Sequence, residues 1–230
     1  KIKVGKQIIT KTSFTVISVL GMLPDGKIDV LWAYRVLRSL DFDFEVLTIL
    51  QAVYSFKAKW LVHDYGGAGA EREHLLAQAN FPMERVMPMS YHGPGIGNFV
   101  QYMAPTNVHP RAWFSVDKSR SLGTTCSGIR RGFIRFFQYD YETTEQPGLL
   151  HDFLALQEEK SESRGRTDVY YITRNPTMPD DFAQSVNIGC CALWYRTGQW
   201  PKYPGVEKYT LSASLMNLIS PPGKLDWDGI

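Results

Sequence analysis

Cysteine is scarce in this sequence, and acid is missing from its opening stretch. Three cysteines occur among 230 residues (Cys126, Cys190 and Cys191), an odd number with two adjacent. That pattern excludes a disulfide framework and lacks the spaced pairs of a zinc site, so the thiols read as buried structural groups in a reducing setting. No apolar run reaches the ~20 residues that span a bilayer, and no signal-peptide pattern opens the chain. Neither sign of charge dominates: 25 Lys and Arg against 23 Asp and Glu leave a formal charge of +2. Bulk charge therefore argues for no polyanionic partner, and only local clustering could. No G-x-x-x-x-G-K-[ST] occurs, which excludes a P-loop engine in this stretch. There is no internal repeat. Between Lys1 and Leu23 there is no aspartate or glutamate at all.

What is present suits one domain with a sizeable core: 44% hydrophobic and 21% charged residues. A chain that opens on lysine reads as part of something longer. "SFTVISVLG" and "KIDVLWAYRV" flank Leu-Pro-Asp-Gly and predict a β-hairpin, with "KIKV" as an earlier strand of the same sheet. From Asp41 the period turns helical, with Phe44, Leu47, Leu50 and Tyr54 as the apolar stripe and Asp41 or Asp43 as the cap. "AKWLVHD" predicts a short strand, "AEREHLLAQAN" a helix, and "RVMPMSY" another strand. "YHGPGIGNF" reads as a loop. "AWFSVDKSRSL" leads into a helix ending near "IRRG", and "GFIRFFQYD" is strand-like. "GLLHDFLALQEEK" predicts an amphipathic helix with Leu150, Phe153, Leu154 and Leu156 inward. "EKSESRGRTD" reads as a polar tip and "VYYITR" as a strand. "PDDFAQSVNIGCCALWYR" predicts a last helix with Phe182, Val186, Gly189, Cys190 and Leu193 on one face. The order is that of an α/β or α+β domain with a mixed central sheet.

Two acidic features stand out within this order. In "LVHDYGGAG", Asp64 closes an apolar strand and is followed by glycines at 66, 67 and 69. Asp180 and Asp181 open the last helix. If that helix packs on the sheet, its first turn approaches the end of the strand, and the mutual repulsion of the carboxylates is relieved by a cation between them. An all-oxygen donor set selects a hard ion, Mg²⁺ or Mn²⁺, and a pair of such ions suits phosphodiester cleavage. Simpler roles compete: Asp180 or Asp181 as a helix cap, Asp64 as an anchor of its turn. Strand alternation points His63 to the opposite face.

The full series of segments resembles the nuclease domain of the large terminase subunit of tailed bacteriophages. The pieces that carry the resemblance are "TSFTVISVLGMLPDGKIDVLWAYRV", "WLVHDYGGAGAEREHLL", "WFSVDKSRSL" with "IRRGFIRFF", and "YYITRNPTMPDDFAQSVNIGCCALW". The resemblance implies an RNase H-like fold: a mixed central β-sheet flanked by helices and opened by an antiparallel hairpin. It assigns residues 1–205 to that domain and 206–230 to a C-terminal tail without periodicity. It implies a metal-dependent endonuclease that cuts concatemeric double-stranded DNA with a three-carboxylate cluster and bound Mg²⁺ or Mn²⁺. By position Asp64 is similar to the second acid and Asp181 to the third, with Asp180 as its neighbour or substitute. Implied partners are double-stranded DNA, the ATPase domain of the same subunit, the portal and the small terminase subunit, with no membrane. The implied location is the host cytoplasm during virus assembly.

One departure is sharp. The family's first acid sits on its first strand in a Val-Asp-Trp-Gly-like pattern, whereas Gly5 follows Val4 here. Three readings stand: the acid precedes Lys1, the site is altered, or nuclease chemistry is lost. Asp25 belongs to the hairpin's far end, and Asp29 on the second strand is an unforced substitute. Lys118, Arg120, Arg130, Arg131 and Arg135 fall between the acidic motifs and suit phosphate contacts, which neutralise without reading sequence. A domain of the same fold that guides DNA without cutting is the alternative. A nucleotide-binding α/β enzyme with "DYGGAG" as its phosphate loop ranks third, since that loop would ordinarily follow the first strand of a βαβ unit.

Overall fold

Strands form where branched and aromatic residues alternate around turn chemistry. The computed structural model describes residues 2–4, 7–9, 14–36, 41–66, 68–93, 98–107, 109–137, 148–161 and 169–201. Strand β1 (Ile2–Val4) pairs antiparallel with β2 (Gln7–Ile9), apart from the other sheets. The expectation that "KIKV" joins the main sheet is therefore not met. The predicted hairpin is present as β3 (Thr15–Met22) and β4 (Ile28–Val36), paired antiparallel with a register shift between Val19 and Leu20. Gly26, at φ +83°, takes the left-handed position of its turn that a side chain would resist.

Helix α1 (Phe42–Ser55) follows, and of the two candidate caps Asp41 serves, its carboxylate accepting from Phe44 N at 3.0 Å. Its buried stripe is Val46, Ile49, Ala52 and Val53, while Leu47 and Tyr54 face solvent. The sequence stripe was out of phase because apolar residues occur around the whole helix, and only the packing of α1 on β3 selects the inward face. Strand β5 (Leu61–Asp64) leads through the glycine turn into α2 (Gly69–Gln78), then β6 (Val86–His92). Strands β7 (Val100–Met103) and β8 (Trp113–Asp117) complete a sheet of order β5-β6-β8-β7, parallel except for β7.

Asp117 caps helix α3 (Lys118–Arg130), accepting from Arg120 N at 3.0 Å. Among the described residues of the expected strand, Ile134–Arg135 alone forms one, as β9, and it adds parallel to β4; residues 138–140 of that expectation lie outside the described residues. The predicted helix at 148–160 is replaced by a 3-10 turn, Leu149–Ala155, and strand β10 (Leu156–Ser161). The amphipathic pattern there is overridden by pairing with β11 (Val169–Arg174), which begins with Leu156 opposite Arg174. Leu156 is buried as expected, but Leu154 is exposed. Helix α4 (Asp181–Thr197) is the central element, burying Phe182, Val186, Cys190, Cys191 and Trp194 against β3, β4 and the larger sheet. Leu193 and Gly189 lie at its margin. The polar tip at 162–168 and the tail from 202 onward lie outside the described residues.

The molecule is thus α/β, with mixed sheets and helices on both faces. Even-numbered residues of β3 (Val16, Leu20) face α4, and Ile17 faces α1. All three cysteines are buried and unpaired, as read from the sequence. Burial pushes the Cys126 thiol up to about 12 and raises Cys190 and Cys191 as well.

Candidate acidic site

The strand directions bring the chemistry-bearing residues to one end. Phe14, just before β3, donates its amide to Asp181 Oδ2 at 2.9 Å, which places the start of β3 at the start of α4. Strand β4 runs the other way, so Arg35 near its end meets the same region. Strands β5, β6 and β8 run with one another and end there on Asp64, Tyr91-His92 and Asp117.

Asp64 stands exposed at the tip of β5. Its Oδ1 accepts from Gly66 N at 2.8 Å, closing its own turn. Gly69 packs so tightly beneath it that an added Cβ would lie 2.6 Å from the Asp64 carbonyl oxygen. This explains one of the glycines in the motif: the backbones approach too closely for any side chain. His63 points to the other face, as alternation predicts, with Nε2 2.7 Å from Glu73 Oε1 on α2 and Nδ1 3.0 Å from the Asp64 carbonyl. Arg111 completes that pair with a 2.8 Å contact to Glu73.

Asp180 occupies the cap position of α4 but makes no capping bond. Its carboxylate instead accepts from Gln184 Nε2 at 2.8 Å and faces Arg174 at 3.4 Å. Both Asp64 and Asp180 act electrostatically on Tyr91. Burial is the main cause that raises the Tyr91 hydroxyl well above its ordinary range; a bond from Asn187 opposes this, and the charges of Asp64 and Asp180 add to it. Asn187 Nδ2 donates to Tyr91 at 2.9 Å and to Ser121 Oγ at 2.9 Å, while its Oδ1 accepts from Thr125 at 2.8 Å. The amide thus ties α4 to β6 and α3 with its donors and acceptor all engaged.

Sequence reasoning missed a fourth carboxylate. Asp152, in the 3-10 turn, is fully buried, pairs with Arg35 at 2.5 Å, and accepts from Phe182 N at 2.8 Å. Burial raises its affinity for a proton, Phe182 N and Arg35 oppose that, and Asp180 adds to it. The signal was an acid inside the apolar run "LLHDFL", a placement that a solvated helix face does not explain. Tyr91 and Asn187 carried no comparable signal.

The five basic candidates do not form one patch. Lys118 lies at the acidic end, its ammonium 5.6 Å from the centre of the Tyr91 ring. Arg120 follows in the same first turn of α3. Arg130 and Arg131 lie at the other end of that helix, about 18 Å away at 1.5 Å per residue. Arg135 is already engaged in a two-pronged pair with Asp29, at 2.7 and 2.9 Å. That pair also places Asp29 at the start of β4, at the end opposite Asp64. Asp25 lies in the hairpin turn beside Lys27.

The oxygen chemistry of Asp64, Asp180 and Asp181 fits a hard divalent ion, and one oxygen of Asp64 carries no hydrogen bond among the described residues. The number of donors is short: among the described residues no three His, Cys, Asp or Glu side chains stand together closely enough to hold one ion. No protein family matches this chain, and no curated protein or solved structure is detectably similar to it. No helix among the described residues is long and apolar enough to cross a membrane.

Proposed function

We propose that this chain is an RNase H-like, metal-dependent endonuclease domain acting on double-stranded DNA, of the kind found in phage terminase large subunits. The observation that carries the reading is that Asp64, at the tip of β5, and the Asp180–Asp181 pair, at the head of α4, lie at the same end of the fold, where Asp181 also holds the amide of Phe14 ahead of β3. Two carboxylates from distant parts of the chain converge at the carboxyl ends of parallel strands, where α/β folds expose their working groups. Asp64 and Asp181, with Asp180 beside it, would hold Mg²⁺ or Mn²⁺. Bound there, the ions would supply Lewis acidity toward a phosphodiester and an activated water. The chain's own residues orient the site: Asn187 fixes Tyr91, Gly69 seats Asp64, and Asp152 anchors the first turn of α4. Lys118 at the rim offers a charge to a backbone phosphate. On this reading the ATPase domain, the portal and the small subunit are its partners in the host cytoplasm.

The runner-up is a DNA-guiding domain that does not cut. It is favoured by the absence of any acid from Lys1 to Leu23 and by the short donor count. The nucleotide-binding reading is weakened by the turn itself, since Gly66 N is taken by Asp64 and Gly69 N by the Gly66 carbonyl. Neither amide is left to cradle a phosphate.

The experiment is nicking of supercoiled plasmid in Mn²⁺, Mg²⁺ or EDTA, with Asp64→Ala and Asp181→Ala alongside. Metal-dependent cleavage lost in both variants supports the endonuclease. A folded chain that retards DNA but never nicks it supports the guiding domain instead.

A further inference from the structure

The end of the fold away from Asp64 has the opposite character. Residues 54–60 (YSFKAKW) join α1 to β5, and Tyr54, Phe56 and Trp60 among them are 65%, 41% and 39% exposed. Aromatic rings carry much of a core's burial, so three left wet in one short connection mark a surface with another use. The rings continue onto the hairpin: Phe56 lies 5.9 Å from Trp32 of β4, and Trp32 stacks with Tyr34 at 6.1 Å and 17°. A strip of rings thus runs from β4 past the end of α1 to the start of β5.

Charge follows the same strip. Lys57 and Lys59 stand between Phe56 and Trp60, and Arg85, just before β6, donates to the Lys59 carbonyl at 2.9 Å. The Arg196 guanidinium lies 3.8 Å from the centre of the Trp60 ring, fixed there by a 3.0 Å contact from its Nε to Met87 Sδ. None of these four cations has a carboxylate partner among the described residues. Across residues 54–60, 83–85 and 194–198 the sole acid is Glu84. Such a local excess, in a chain whose total balance is +2, complements a polyanion. Lys57 adds a further sign. It closes α1 in the left-handed region at φ 51°, a place that glycine fills at less cost. Its ammonium makes no bond among the described residues, so nothing in the fold accounts for lysine there.

The rings choose the polyanion. A duplex keeps its bases stacked inside and offers such a strip phosphates alone, whereas a single strand offers the faces of its bases as well. An anionic lipid surface also attracts lysine and tryptophan. Trp60, however, could enter an acyl layer only by carrying the Arg196 charge in with it, which burial penalises heavily. Stacking requires no such move. Arg196 covers one face of the indole, and the exposure that remains leaves the other to a nucleobase.

We propose that residues 54–60, with Trp32 and Arg196, bind single-stranded nucleic acid. A base stacks on Trp60 opposite Arg196, and Lys57 and Lys59 take the adjoining phosphates. The surface is separate from the acidic end: Trp60 precedes β5 while Asp64 closes it, and Arg196 lies at the other end of α4 from Asp181. The proposal therefore stands whether or not the chain cuts DNA.

The test is fluorescence anisotropy of a labelled oligothymidylate of about ten nucleotides with the whole chain, in EDTA so that no strand is cut. Trp60→Ala should weaken binding about tenfold and leave duplex affinity unchanged, while Trp60→Phe, which keeps a ring, should cost less than about threefold. Lys57→Ala with Lys59→Ala should lower the slope of log affinity against log salt by about 1.4, the value for two phosphate contacts on a single strand. Full affinity in Trp60→Ala, or an unchanged slope in the lysine pair, overturns the proposal. So does an equal loss for duplex and single strand in Trp60→Ala, since stacking is then not the cause. Binding to phosphatidylserine vesicles with none to the oligonucleotide also overturns it and assigns the strip to lipid. Should Trp60→Ala fail to fold, Lys57→Glu with Lys59→Glu, at two exposed positions, decides instead. A loss of about tenfold supports the proposal, and retained affinity overturns it.

Discussion

Arg35 and Asp152 meet at 2.5 Å with their side chains 4% and 0% exposed, and the second oxygen of Asp152 holds the amide of Phe182. The pair links the end of β4 to the first turn of α4, where Asp180 and Asp181 stand. An ion pair so deeply buried contributes little net stability, because desolvation offsets attraction, but breaking one side strands the other charge. Its consequence here is positional: it fixes the head of α4 relative to the strand ends.

Asp152→Leu and Arg35→Met should each destabilise the fold by about 3–5 kcal/mol, the usual cost of an orphaned buried charge. Replacing both with apolar residues, Arg35→Met with Asp152→Leu, should recover much of that loss. Urea titrations of the four proteins form a double-mutant cycle, and additive losses would show that the two side chains do not act as a pair.

Asn187→Leu should cost about 2–4 kcal/mol, since it orphans the Thr125 hydroxyl at roughly 1–3 kcal/mol for an unsatisfied group and removes the bonds to Ser121 and Tyr91, whose hydroxyls keep the Lys118 and Gln184 carbonyls. If Tyr91 is held between α4 and β6 as described, its fluorescence or ring NMR signals should broaden in this variant. Unchanged spectra and a loss below about 1 kcal/mol would contradict that role.

Gly69→Ala forces a methyl group to 2.6 Å from the Asp64 carbonyl oxygen, which is backbone and cannot turn aside. Destabilisation of about 1–3 kcal/mol is expected, together with weaker Mn²⁺ binding by titration calorimetry. Gly189→Ala provides the contrast. Its methyl meets the tip of Leu20 at 3.0 Å, and a flexible side chain can yield, so metal binding should be retained.

The three buried thiols set a pH dependence. Their folded affinity for protons is raised by burial, to about 12 for Cys126, while an unfolded thiol titrates near its ordinary value of about 8.5. Below that value the groups bind equal numbers of protons folded and unfolded, and their contribution is fully present. Above it only the unfolded chain ionises, so stability falls as pH rises from about 9 toward 12, by up to ~1.4 kcal/mol per unit for each thiol. Denaturant midpoints between pH 8 and 11 check this, and Cys126→Ala should flatten the slope by about a third.

DNA contact should depend on Lys118 more than on Arg135. The Lys118 ammonium has no ion pair among the described residues, whereas both prongs of Arg135 already hold Asp29. Lys118→Ala should lower the salt dependence of DNA affinity by about one phosphate contact, and Arg135→Ala should leave it nearly unchanged. Equal effects would mean that Asp29 releases its partner to DNA.

Local chemistry made much of this fold legible. The β3–β4 turn at Pro24, Asp25 and Gly26, the cap at Asp41, the alternation that turns His63 away from Asp64, and the buried cysteines all follow from neighbours within a few residues. The sequence by itself also determined that the strand of Asp64 precedes a glycine turn and that an acidic pair opens the last helix. Tertiary structure alone decided the rest. It made Leu156 the start of a strand, because an antiparallel partner outweighs a helical stripe, and it turned Leu47 outward by seating α1 on Val46 and Ile49. It put Asp152 beneath the head of α4, parted Lys118 from Arg130 by the length of α3, and gave Arg135 to Asp29. These pairings join residues a hundred or more positions apart in several cases, where propensity carries no information. Only the shared packing around α4 sets which charges meet.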